Sequence, residues 1–330
     1  MITGLHHTGL TVANLDVALD FYTREQAFSL AHRFTIADTP ENRTILQLDD
    51  ASGEVAFLQG TLGCLELLNF SCSKDAVRTE RQVYSAGIRH ICLQTPISDR
   101  LFNSLTGAGA RFHARPSGLG TGNTYVYLRD PEDNLLELEG TPWAPAGVAC
   151  PWFAHAAFVS PDLTRLAHFY TTLTGIAVHS RGSFGPDKKF DVVAGISEVR
   201  FQGAWIRLPN AELEFWQYEQ PRTTSKSLTE ISTPGWSHLC FESDDVYADF
   251  ERLRMHGVVT HGAPLNFSNA TIFFGRDPDG NIFEVLQPYG NAKATVRSML
   301  QYSDAQSIDA ARTVYRASSA STGMPVSGND

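Results

Sequence analysis

The chain has 330 residues, 42% of them hydrophobic, and a formal net charge of −10. That length suits two domains with cores of their own. The acidic balance, with no basic run longer than Lys188-Lys189, argues against a nucleic-acid partner and for a small-molecule one.

No apolar run reaches the roughly 18 residues of a membrane span, and the start, Met1 to His7, lacks a basic stretch followed by an apolar one. A soluble cytoplasmic protein, with no membrane partner, is the expectation, and homo-oligomerisation stays open. Cys64, Cys72, Cys92, Cys150 and Cys240 are odd in number and show no CxxC spacing, so they read as reduced core residues rather than as a disulfide or zinc framework.

Taken in order, His7 to Val12 reads as a strand and Leu15 to Phe28 as an amphipathic helix, with Leu15, Ala18, Phe21 and Tyr22 at helical spacing. Strands follow at about Thr44 to Leu48, Glu54 to Leu58 and Cys64 to Phe70. The pattern restarts with a strand at His90 to Gln94, a helix at about Ser98 to Ala108, and strands at Phe112 to Arg115, Thr124 to Leu128 and Leu135 to Glu139. Thr141 to Gly147 is rich in Pro, Gly and Ala and reads as a linker.

Beyond the linker come a strand at His155 to Val159, a helix at about Asp162 to Leu173, and strands near Asp191 to Ala194, Glu198 to Phe201 and Glu212 to Tyr218. The last unit has a strand at His238 to Glu242 and a helix at about Asp245 to His256, with Asp244 as N-cap and Gly257 as stop. A hairpin closes it, Thr271 to Phe274 and Asn281 to Leu286, turning through Asp277-Pro278-Asp279-Gly280. Ala292 to Ala317 reads as one or two helices that pack outside or cap an opening, and Ser318 to Asp330 as a disordered tail.

The chain is a duplication. A shift of 148 lays His7 on His155, Phe21-Tyr22 on Phe169-Tyr170, Leu65-Glu66 on Leu213-Glu214, and His90 and Cys92 on His238 and Cys240. A shift of 147 lays Asp130-Pro131, Asn134 and Glu137 on Asp277-Pro278, Asn281 and Glu284. The expected organisation is an α+β chain of four βαβββ units: a first module at 1–140, a linker at 141–151, a second module at 152–290, and a helical segment with a flexible tail at 291–330.

Each copy carries a matched quartet: His7, Glu66, His90 and Glu137, at intervals of 59, 24 and 47, and His155, Glu214, His238 and Glu284, at 59, 24 and 46. A carboxylate within a run such as Cys64-Leu65-Glu66-Leu67-Leu68 is costly when buried and unpaired, and a divalent ion with two imidazoles removes that cost. Two His and two Glu suit zinc, nickel, cobalt, manganese or iron(II). Strand alternation places Trp216 and Tyr218 beside Glu214, Phe70 beside Glu66, and Cys92 and Cys240 beside His90 and His238, as candidate pocket walls.

His-Thr-x-Leu-x-Val with Phe-Tyr, Leu-Glu-Leu-Leu, Gly-Ile-Arg-His-Ile-Cys and Asp-Pro-x-x-Asn-x-x-Glu resemble the vicinal oxygen chelate superfamily over about residues 4 to 288. The superfamily includes glyoxalase I, methylmalonyl-CoA epimerase, extradiol dioxygenases and the fosfomycin and bleomycin resistance proteins. The resemblance implies two open eight-stranded cups, each built from two units and holding one metal ion. His7 and Glu66 join either His90 and Glu137 or His238 and Glu284.

By the same resemblance, the four-ligand set implies a metal-dependent isomerase, epimerase or lyase that takes a proton next to a chelated carbonyl. Glu137 and Glu284 are then the first candidates for the base, and Glu66 and Glu214 their counterparts. An iron(II) extradiol-type dioxygenase is the alternative; its pattern uses three ligands and places a Tyr where this chain has Phe274. A metal-free binding or resistance protein is a third reading. His6, His32, His113, His168, His179, His256 and His261 read as structural, surface or loop residues.

Overall fold

The computed structural model describes residues 1–75, 81–148, 151–225, 228–290, 292 and 294–322. The first unit runs β1 (Ile2–Thr11), α1 (Leu15–Thr23), β2 (Phe28–Ile36), α2 (Pro40–Leu46), β3 (Gly53–Gly60) and β4 (Cys64–Phe70). The second runs β5 (Gly87–Thr95), α3 (Asp99–Gly107), β6 (Arg111–Phe112), β7 (Ser117–Gly118), β8 (Thr124–Arg129) and β9 (Leu135–Gly140).

The second copy repeats this order. Its units are β10 (Trp152–Val159), α4 (Leu163–Thr174), β11 (Ser180–Phe184), α5 (Lys188–Ala194), β12 (Arg200–Arg207) and β13 (Glu212–Gln220), then β14 (Gly235–Ser243), α6 (Val246–Met255), β15 (Val259–Thr260), β16 (Leu265–Asn266), β17 (Ala270–Arg276) and β18 (Ile282–Pro288). Helices α7 (Val296–Gln301) and α8 (Ser303–Thr322) follow.

The strands form two open, nine-stranded sheets. Sheet A joins the first and last units in the order β15-β17-β18-β14-β1-β4-β3-β2, and sheet B joins the two middle units as β11-β12-β13-β10-β5-β9-β8-β6. The expected count was eight. The ninth strand arises because one edge strand is broken in two: β15 and β16 both pair with β17, and β6 and β7 both pair with β8. In each sheet the two units meet through an antiparallel central pair, β1 with β14 and β10 with β5, so each sheet is shared between the copies.

Alternation along these strands sorts the side chains by face. Leu65, Leu67, Leu213, Phe215, Leu239, Phe241, Phe283 and Val285 enter one core together with Leu15, Phe21 and Tyr22 of α1 and Leu166, Tyr170 and Leu173 of α4. The other faces form the two cups. Capping follows the residue types: Asn14, Ser98, Asp162 and Asp245 accept hydrogen bonds from the first-turn amides of α1, α3, α4 and α6. The cap of α6 is thus Asp245, one residue past Asp244.

Several expected elements differ. The expected strands at Thr44 to Leu48 and Asp191 to Ala194 fall largely on helices α2 and α5, which start at capping residues Thr39 and Asp187. Strands β2 and β11 were not expected. Residues Ser29 to Thr35 of β2 are all exposed, so an edge strand there has no buried side to impose a hydrophobic alternation. Helix α1 ends at Thr23 rather than Phe28.

Cys64, Cys92 and Cys240 are buried and free, Cys72 is exposed rather than a core residue, and Cys150 lies outside the described residues. Residues 318–322 continue α8 rather than starting a disordered tail, and the rest of that expectation, 323–330, falls outside the described residues. Among the described residues no helix is long and apolar enough to cross a membrane.

Candidate metal centres

The quartets assemble across the copies. In sheet A the side chains come from four adjacent strands, Glu284 on β18, His238 on β14, His7 on β1 and Glu66 on β4. In sheet B the same order is Glu214 on β13, His155 on β10, His90 on β5 and Glu137 on β9. Imidazoles occupy the central pair and carboxylates the flanking strands.

In sheet A the Nε2 atoms of His7 and His238 are 3.2 Å apart. Glu284 Oε2 lies 3.3 and 3.4 Å from them, and Glu66 Oε2 3.6 Å from each. Both imidazoles are held from behind. His6 Nδ1 is 2.8 Å from His7 Nδ1 and its Nε2 is 2.7 Å from the carbonyl of Ala294, while Ser237 Oγ is 3.1 Å from His238 Nδ1. Burial, with neighbouring His7, pushes His6 down to about 4, so it stays neutral. His6 is therefore an orienting residue rather than a bystander.

In sheet B, His155 Nε2 lies 3.4 Å from His90 Nε2, 3.0 Å from Glu137 Oε2 and 3.2 Å from Glu214 Oε2, and His90 Nε2 lies 3.3 Å from Glu137 Oε2. Here a carboxylate is the group held from behind: Trp205 Nε1 donates to Glu214 Oε1 at 2.9 Å. Trp205 stands opposite Glu214 in the ladder, and Phe57, which has no donor, stands opposite Glu66.

Burial alone would raise Glu137, but hydrogen bonds from His155 and His90 hold it down at about 2. Burial, reinforced by Glu137, pushes Glu214 up to about 7. Burial opposes charging of His155, but Glu214 and Glu137 outweigh it and bring His155 to about 9. Burial lowers His90.

The Asp-Pro turns set the strands that carry Glu137 and Glu284. Asp130 Oδ1 accepts the amides of Glu132 and Asn134, and its Oδ2 accepts Asn134 Nδ2 and the hydroxyl of Tyr22. Asp277 repeats this with Asp279, Asn281 and Tyr170. The Phe-Tyr and Asp-Pro-x-x-Asn motifs thus lock helix to hairpin, and each Glu follows three residues after the Asn.

The cups differ in their contents. Sheet B has a cavity of about 690 Å³ with Glu137, His155 and Glu214 on its wall, together with Tyr125, Tyr127, Phe184, Phe201, Trp205, Trp216 and Tyr218. In sheet A, Ile45 and Leu46 of α2 pack with Leu48, Val55, Leu68, Phe70, Phe274 and Ile282, and Met299 of α7 covers Phe57 and Cys64. Of the expected pocket residues, Trp216 and Tyr218 line the cavity. Phe70 is instead packing in sheet A, and Cys92 and Cys240 are buried beneath the ligands, off the cavity wall.

Expectations for the remaining histidines hold except at two positions. His261 is buried, hydrogen-bonded to the carbonyl of Ile45, and half-buried His179 lies 3.4 Å from Glu212. Residues that sequence reasoning passed over include Trp205, Tyr127, Gln94 and Arg312. The only signal for Trp205 was its place opposite Glu214 in a neighbouring strand.

The donor set fits a divalent ion. Two ligands at 2.0–2.2 Å from one ion, at angles between square and tetrahedral, lie roughly 2.9–3.6 Å apart, and the distances above fall in that interval. The ligand atoms of His90, Glu137, His155 and Glu214 all lie within 4.8 Å of one another, as do those of His7, Glu66 and His238.

A family model described as the Glyoxalase/Bleomycin resistance protein/Dioxygenase superfamily matches residues 4–138 and 152–285. Among solved structures, glyoxalase I from Zea mays is 17% identical, with 86% of this chain and 92% of that chain covered and a TM-score of 0.62. A putative dioxygenase from Bacillus subtilis is 13% identical, with 91% of each chain covered and a TM-score of 0.58. At these identities the likeness is one of fold. No curated protein gives a significant match.

Proposed function

We propose, from the premise that the chain belongs to the Glyoxalase/Bleomycin resistance protein/Dioxygenase superfamily, that it is a divalent-metal-dependent isomerase or lyase of the glyoxalase type working at the sheet-B site. The observation that carries this reading is a four-ligand set opening onto a cavity large enough for a small substrate. His90, Glu137, His155 and Glu214 would hold the ion. When bound, it would supply Lewis-acid polarisation of neighbouring oxygens on the substrate.

The rest is work for the chain's own side chains. Glu137 and Glu214 stand on the outer strands, on either side of the imidazole pair, so a substrate carbon above that pair has a carboxylate on each flank. One takes the proton from the substrate carbon and becomes the carboxylic acid, and the other, arriving as the carboxylic acid, delivers its own proton to the opposite face and becomes the carboxylate. Trp205 keeps Glu214 aimed through its N–H. The sheet-A quartet, whose cup is narrowed by the packing of α2 and α7, is read as a structural ion site, because structural sites are the more closed and catalytic ones keep an open position.

One observation favours a second reading as an iron(II) extradiol-type dioxygenase. Tyr127 occupies in sheet B the place that Phe274 holds in sheet A, with its ring 5.1 Å from His90. The fourth protein ligand, Glu214, weighs against it, since ring cleavage needs open positions for both diol oxygens and dioxygen.

Metal analysis after chelator-free purification, followed by solvent-deuterium incorporation into α-hydroxy carbonyl compounds, tests the first reading. Two ions per chain and exchange that needs Glu137 and Glu214 support it. Metal-free protein would sink both enzyme readings in favour of a binding protein, and oxygen uptake with catechols would favour the second.

A further inference from the structure

Helix α8 is fastened across the mouth of the sheet-B cavity. Ala305 and Ile308 pack with Leu62, Val148 and Trp152, and the Tyr315 hydroxyl donates to the carbonyl of Thr121 at 2.6 Å. Arg312, between these anchors, and Arg316, just past them, line the cavity wall.

The hydrogen-bond inventory there is lopsided. Glu139 accepts from two amides, Asn123 at 2.6 Å and Gln94 at 2.8 Å. Glu212 is taken by Arg207 at 2.7 Å, with Arg316 3.6 Å away. Arg312 has five N–H donors, and its hydrogen bond is to a neutral amide oxygen, Gln94 Oε1, at 3.0 Å. Among the described residues no carboxylate lies within 4.0 Å of it, and it stands on the cavity wall. Its guanidinium sits 5.7 Å from the ring of Trp143, whose own Nε1 lacks an acceptor.

Gln94 follows His90 by four residues on the same face of β5, roughly 13 Å along the strand. The ligand quartet therefore lies along the floor of one cavity, with Arg312 toward one end and Trp216 and Phe201, ring centroids 5.0 Å apart, toward the other.

Resting on the sheet-B site proposed above, we infer that the substrate carries paired oxygens that meet the quartet and, at about the distance that separates His90 from Gln94, a carboxylate that meets Arg312. A guanidinium binds a carboxylate through two parallel N–H···O bonds.

The test uses the full chain loaded with zinc and two probes of nearly equal size, 3,4-dihydroxycinnamate and its methyl ester, titrated by calorimetry. The acid should bind at least about tenfold more tightly than the ester. In Arg312→Gln that preference should vanish while ester binding stays unchanged, and in the unsubstituted protein it should shrink as salt is raised.

An ester that binds as well as the acid, or a preference that survives in Arg312→Gln, would overturn the inference and leave the site reading intact. If Arg312→Gln does not fold, the salt dependence decides: a salt-insensitive preference overturns it. Failure of both probes to bind at any salt would instead bring down the site reading as well.

Discussion

Sheets A and B present the same two imidazoles and two carboxylates on the same four strand positions, yet their surroundings have diverged in opposite senses. In sheet A the second hydrogen bonds go to the imidazoles, from His6 and Ser237, and apolar side chains narrow the cup. In sheet B the second hydrogen bond goes to a carboxylate, from Trp205, and the space above is open. Orienting the imidazoles and closing the site favours retention of an ion. Orienting a carboxylate beside a cavity favours proton transfer to something that enters.

The sharpest way to break this comparison is to neutralise the carboxylates sheet by sheet. Glu137→Gln or Glu214→Gln should lower turnover about 10²–10⁴-fold, the usual worth of a positioned acid or base. Glu284→Gln and Glu66→Gln should leave turnover near the parent value. Equal losses in both sheets, read by steady-state kinetics, would erase the distinction.

Stability should show the reverse asymmetry. At zinc concentrations of several hundred times Kd, an ion bound only to the folded chain adds about 3 kcal/mol. His7→Ala with His238→Ala should abolish more of the zinc-dependent rise in melting temperature than His90→Ala with His155→Ala. A larger effect from the sheet-B pair would contradict the structural role of sheet A.

Trp205→Phe makes sheet B resemble sheet A, where Phe57 stands. Loss of an outer hydrogen bond to a ligand typically costs about 10–100-fold in metal affinity or activity. No change in either, measured by competition with a chelator and by turnover, would remove Trp205 from the account.

The last effect concerns pH. Without an ion, His155 is pushed up to about 9 and Glu214 up to about 7, so both carry protons below pH 7. An ion requires both deprotonated. Sheet-B affinity should therefore rise with pH, about tenfold per unit between 7 and 9 and more steeply below 7. A flat profile in chelator competition would show that these protons are not displaced.

All eight residues of the two quartets were legible in the sequence, because equal spacing in two copies is hard to obtain from packing alone. Their pairing was not: each copy offers the same residue types, and only the β1–β14 and β10–β5 ladders decide between partners. Strand β2 was hidden by solvent exposure of an edge, and β11 by its Ser-Arg-Gly-Ser composition, which holds no strong strand former.

Helices α2 and α5 did leave a trace, in Thr39-Pro40 and Pro186-Asp187, which are N-terminal signals that outweigh the short apolar runs after them. Phe70 and Trp216 both sit on ligand-facing strands, and alternation could not tell a filled cup from an open one. Arg312 and Trp205 act through contacts with distant or cross-strand partners, for which no local pattern exists.

The central claim is that both quartets take an ion but only sheet B takes a substrate. Cobalt(II) in such sites absorbs in the visible, and its spectrum changes when a new oxygen ligand arrives. Cobalt-loaded protein carrying His7→Ala with His238→Ala, and its counterpart carrying His90→Ala with His155→Ala, should therefore be titrated with a planar hydroxamate. The account predicts a spectral change in the first and none in the second. A change in the second, or the same change in both, would contradict it.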